Sequence, residues 1–86
     1  MDCIFLLEAR YIEDFKIFLK FNTEEFGEID LKDVIYKYEI ATSLRDPVAF
    51  SKFYLDSWPT LAWKCGFDIA PESLYSMVTS VKSILN

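Results

Sequence analysis

Between Phe15 and Asn22 the apolar residues Phe15, Ile17, Leu19 and Phe21 alternate with Lys16, Phe18, Lys20 and Asn22. A two-residue period of this kind predicts a half-buried strand. Cys3 to Tyr11 is then its hairpin partner, with Ile12 to Asp14 near the turn. The pattern leaves one alternative open, because Ile4, Leu7, Tyr11, Phe15 and Phe18 also fall at helical spacing and would suit a single long helix.

Asn22 to Ile35 begins with polar residues, and Gly27 there suggests a hairpin turn leading into a short strand through Phe26 to Leu31. From Leu31 to Leu44, Val34, Ile35, Tyr38 and Ala41 recur at roughly helical spacing, which fits a short helix or an irregular connection. Asp46 before Pro47 is a helix-start signal. The carboxylate can accept from free backbone N–H groups, and proline at the first helical position has no N–H to leave unpaired. Alternation resumes from Lys52 to Asp56, and Thr60 to Trp63 reads as a strand after the Ser57 to Pro59 turn, making a second hairpin. Gly66 permits a tight turn. Pro71 then opens a helix in which Leu74, Met77, Val78, Val81 and Leu85 share one face. Pattern thus predicts an α+β fold, a small antiparallel sheet of two hairpins with a C-terminal helix packed on it.

Length and composition narrow this further. At 86 residues, with domains usually on the order of 100 to 150 residues, one domain spanning 1–86 is expected. The eight Phe, five Tyr and two Trp exceed what so small a core can hide, so some rings are expected at the surface, where they anchor interfaces. The stretch from Trp63 to Tyr75 reads first as a packing motif, in which Trp63 ends a strand and Leu74 and Tyr75 fold back on the sheet; its functional reading makes Trp58, Trp63, Phe67 and Tyr75, with Asp68, the candidate partner surface.

The formal net charge of −5 argues against contact with a phosphate backbone, and direct nucleic-acid binding is not expected. An acidic surface suits a basic protein partner or simply favours solubility. Cys3 and Cys65 are too few for a disulfide scaffold and read as reduced, semi-buried thiols. The opening MDCIFLL has an acid where a secretory signal is basic, and no run approaches the roughly 18 apolar residues of a membrane span. A cytoplasmic location without membrane contact follows as the expectation.

Histidine is absent, which removes the usual general base, zinc ligand and triad partner. Two isolated glycines cannot build a phosphate loop. Asp68 and Glu72 form a carboxylate pair near the helix start, but their structural reading is stronger: Asp68 caps backbone N–H groups and Glu72 complements the helix dipole. No catalytic, cofactor or metal site is assigned, and no enzyme is expected.

Three ordered groups of residues carry a family resemblance. They are Gly27 with Asp30 and Leu31; Leu44, Asp46, Pro47 and Phe50; and Trp63, Gly66, Asp68, Ile69, Ala70, Pro71, Leu74 and Tyr75. In this order they resemble the small bacterial family called domain of unknown function 2442. The resemblance implies a small antiparallel α+β domain and favours the hairpin at the N-terminus. Its members are sometimes fused to a helix-turn-helix domain, and are often encoded beside domain of unknown function 4160 in pairs proposed to act as toxin and antitoxin. With no room for a helix-turn-helix extension, this chain, if it belongs to such a pair, is expected to act by protein contact alone.

The leading expectation is therefore a non-enzymatic protein-binding module, antitoxin-like, whose partner is basic or encoded by the neighbouring gene. Two alternatives remain: a ligand-binding or sensory domain with a ring-lined pocket, and a mobile-element inhibitor of the anti-defence kind. Strand edges that pair into a homodimer fit all three.

Overall fold

The computed structural model describes residues 3–57 and 60–84, the last four as backbone only. The N-terminal segment is a hairpin of β1 (Leu6–Glu13) and β2 (Lys16–Phe21), extended by β3 (Phe26–Asp30) into a three-stranded antiparallel sheet of order β1-β2-β3. Helical spacing loses to the strand reading here. Asp14 turns the chain with a φ of 48°, a left-handed conformation that Asp tolerates and a helix interior cannot contain. The register Ala9↔Leu19 and Tyr11↔Ile17, with Ile17↔Ile29 beyond, puts Ile17, Leu19 and Phe21 of β2 on one face and Phe18 on the other. Ile17, Leu19 and Phe21 are fully buried there beside Leu6 and Ile29. Asn22 ties down the chain start: its Nδ2–H donates to the Cys3 carbonyl and its Oδ1 accepts from the Phe5 N–H.

Gly27 does not lie in the turn. It sits within β3, and a Cβ there would stand 3.0 Å from Val78 Cγ1. The turn itself carries Glu24 at a φ of 74°.

Helix α1 (Lys32–Lys37) is followed by a 3₁₀ segment (Glu39–Arg45) and by α2 (Pro47–Phe50). Asp46 caps α2 as expected, its Oδ1 accepting from the Val48 N–H at 3.2 Å. The expected second hairpin pairs β4 (Tyr54–Leu55) with β5 (Leu61–Ala62), but the sequence reading did not include a third strand. The residues Asp68–Ile69 form β6 and pair with β5, so a second three-stranded sheet, β4-β5-β6, stands apart from the first. Gly66, at a φ of +102°, closes the turn between β5 and β6, where the Trp63 N–H donates to the Phe67 carbonyl.

The α+β class holds, with the strands divided between two small sheets. Helix α3 (Pro71–Ile84) begins at the expected proline and buries Leu74 and Val78, with Met77 half-buried. Val81 and Leu85, predicted on the same face, lie outside the residues whose side chains are described. The core draws on both sheets and all three helices, from Leu6 and Ile17 through Ile35 and Phe50 to Trp63 and Val78. Among the described residues no helix is long and apolar enough to cross a membrane.

Candidate functional site

The fold strings rings into a ladder through the interior. Phe15 meets Phe50 at 5.3 Å between centroids, Phe50 meets Trp63 at 5.5 Å, and Trp63 meets Phe67 at 5.6 Å. A buried hydrogen bond from Trp63 Nε1–H to the Phe50 carbonyl, at 2.7 Å, locks the central indole. This satisfies the polar atom a buried tryptophan must otherwise leave unpaired.

These contacts place Trp63 and Phe67 in the core, in keeping with the packing reading, and take both rings out of the candidate partner surface. Trp63 is 2 % exposed and Phe67 7 %, because β5 and β6 turn both rings inward. Tyr75 is half-buried on a different part of the core, edge-on to Phe21 at 5.3 Å. Asp68 is exposed but belongs to β6, opposite Ala62, and not to a cap position; the Ala70 carbonyl accepts from the Leu74 N–H as α3 starts. Trp58 lies outside the described residues. Trp63 and Phe67 thus come together, but as core. Cys3 and Cys65 are free thiols and exposed, not semi-buried.

The ladder surfaces at its two ends, on residues the sequence reading did not select. Phe15 leads to Tyr36, with centroids 6.1 Å apart, and Phe67 leads to Tyr38 at 5.9 Å. Tyr36 and Tyr38 are 50 % and 46 % exposed, and Ile40 beyond them is 55 % exposed. Cations steady both rings: the Arg45 guanidinium stands 4.9 Å from the Tyr36 centroid and Lys37 Nζ 5.6 Å from that of Tyr38. Arg45 also donates to the Tyr36 carbonyl at 3.2 Å. Tyr36-Lys37-Tyr38 was the available signal, but without the fold nothing separates an end-of-helix tyrosine from a core ring.

Beside Tyr38 runs a groove of about 410 Å³ lined by Val34 and Lys37 of α1, Asp68 and Ile69 of β6 and Met77 of α3. A larger hollow of about 590 Å³ lies between the chain start and the beginning of α3. Of the described residues lining it, Phe5 carries the only aromatic ring. No group of three or more acidic, cysteine or histidine side chains able to hold a metal occurs among the described residues.

The outer face of the first sheet has a different character. Phe18 packs against Phe26 at 6.1 Å, and the Arg10 guanidinium lies 4.7 Å from the Phe18 centroid. Arg10 also pairs with Glu8, and in the register Phe18 lies between Arg10 and Glu28.

Comparison with known proteins places the chain at family level. Residues 6–80 match the family described as "Protein of unknown function (DUF2442)". No curated protein matches the chain. Among solved structures, the crystal structure of "Putative DNA Binding Protein NE0471" from Nitrosomonas europaea ATCC 19718 is similar, with a TM-score of 0.80 at 18 % identity. The match covers 96 % of this chain and 56 % of that one, so this chain spans little more than half the length of NE0471. At this identity the likeness is one of fold. It nonetheless corrects the exclusion of direct nucleic-acid contact drawn from net charge: a protein of this fold carries a DNA-binding name. The physical reason is that phosphate contact depends on local cations, which a whole-chain sum of −5 does not describe.

Proposed function

The chain belongs to the DUF2442 family of proteins of unknown function, and on that premise we propose that it is a non-enzymatic docking domain that holds a protein partner on its Tyr36, Tyr38 and Ile40 surface. One observation carries the reading: the two exposed tyrosines are the outward ends of a rigid ring ladder and are steadied by Arg45 and Lys37. Rings held this way lose little freedom on binding, and tyrosines of this kind are the residues that dominate interface energies. In the antitoxin-like form, which the family resemblance implies, the partner is the second member of a gene pair.

The test is co-expression with the adjacent gene product, followed by size exclusion and by titration of the purified pair. Tyr38→Ala and Ile40→Ser are expected to weaken the complex by about tenfold or more each, while far-UV circular dichroism stays unchanged. Unaltered affinity in both variants would remove this surface from consideration.

A second reading is favoured by the outer face of the first sheet, where Phe18 and Phe26 with Arg10 resemble a stacking platform for single-stranded nucleic acid. The name carried by NE0471 adds to it. Glu8 and Glu28 on the same face weigh against it and leave docking in the lead. Fluorescence polarisation with a labelled oligothymidylate decides: salt-sensitive binding lost in Phe18→Ala would put this reading first.

A further inference from the structure

A third groove, of about 290 Å³, opens between the end of the 3₁₀ segment, α2 and the turn after Trp63. Its apolar lining is the half-buried Ala49 over the buried Leu44 and Trp63, and Ser43 and Cys65 line it too. Both charged residues that line it are cations, Lys52 and Lys64, each exposed. The other grooves differ: Glu72 lines the hollow near the chain start, Asp68 accompanies Lys37 beside Tyr38, and Glu28 and Asp30 accompany Lys16 in a shallow cleft on the first sheet. In a chain of net charge −5, a groove whose charged lining, among the described residues, is Lys52 and Lys64 is a local reversal of sign, and such a reversal selects for an anionic visitor.

We propose that this groove receives an acidic segment of a protein partner, with one apolar side chain against Ala49, above the buried Leu44 and Trp63, and flanking carboxylates on Lys52 and Lys64. The inference rests on the docking reading above and supplies the partner's chemistry, which is acidic where whole-chain charge suggested a basic one. The two regions adjoin: Ile40 Cδ1 lies 3.8 Å from where a Cβ on Gly66, next to Cys65 of the groove, would stand. The buried indole is held by its hydrogen bond to the Phe50 carbonyl and does not need to be ordered on binding. A peptide suits the groove better than a phosphate chain: an apolar lining rewards a hydrocarbon side chain, whereas a sugar-phosphate backbone would cover it without filling it.

The experiment is a titration of the full chain, followed by two-dimensional amide and indole NMR, with an acetylated, amidated Glu-Leu-Glu peptide up to millimolar concentration. Saturable shifts at Leu44, Ala49, Lys64 and the Trp63 indole N–H are expected. They should weaken at least about tenfold in Lys52→Glu combined with Lys64→Glu, a pair of exposed changes that leaves the remaining spectrum in place. Glu-Ser-Glu should bind more weakly and Lys-Leu-Lys should give no shifts. No saturable shifts, shifts centred elsewhere, or equal binding of Lys-Leu-Lys would overturn the proposal. So would tighter binding of an oligothymidylate at the same residues, which would make the groove a polyanion site. If the peptide fails while co-elution still depends on Tyr38, the groove assignment falls and the docking surface stands. If the peptide binds as stated while Tyr38→Ala and Ile40→Ser leave the partner complex unchanged, the tyrosine surface falls alone.

Discussion

Gly27 shows how a residue's role depends on a neighbour far along the chain. As a sequence feature it reads as a turn glycine; in the fold it is a strand residue whose missing side chain lets Val78 of α3 approach β3. A neighbouring side chain packed directly onto the strand backbone is a need that glycine meets best. Gly27→Val is therefore expected to destabilise by about 1–3 kcal/mol through overpacking, measured by urea denaturation. Val78→Ala in the same chain should restore part of the loss, so that the pair costs less than the sum of the single changes. Additive costs would mean that Gly27 matters only for its backbone. The rings tell the same story. Composition established that some must be exposed, but the choice between Trp63 and Tyr38 depended on which strand turned inward, and the β5–β6 pairing had no periodic signal to announce it.

At the scale of the element, legibility followed length and local chemistry. The alternation over β2 spans enough residues to declare its period, and Asp46-Pro47 and Pro71 are start signals that act through their own backbone. Strands of two residues, as in β4, β5 and β6, are too short for any period and are made by their partners. The cap on α2 gives a prediction at this scale. Asp46→Ala should cost about 1 kcal/mol, whereas Asp46→Asn, which keeps a side-chain acceptor, should cost much less. Thermal denaturation of the two variants checks this, and equal losses would show that the charge of Asp46, not a side-chain acceptor for the Val48 N–H, supplies the stability.

For the molecule as a whole, the two sheets share one core. Phe50 touches Phe15 beside the first sheet and Trp63 at the end of β5, while Val78 of α3 packs on β3. Unfolding either sheet would expose the interior of the other. Secondary structure by far-UV and aromatic packing by near-UV circular dichroism are thus expected to melt in coincident transitions. Loss of the near-UV signal well before the far-UV one would show that the sheets are joined more loosely than the ring ladder implies.

What the sequence determined by itself was whatever one segment can express alone: the α+β class, the β2 strand, the proline-led helix starts and the likeness to a family. Periodicity, capping and proline geometry act over a few residues, so they are written where they act. The tertiary structure decided the division into two sheets, the inward turn of Trp63 and Phe67, the exposure of Tyr36 and Tyr38, and the pairing of Lys52 with Lys64 across an apolar groove. Each of these depends on residues distant in sequence competing for one small interior. A core that cannot take every ring must leave some outside, and only the packed arrangement settles which.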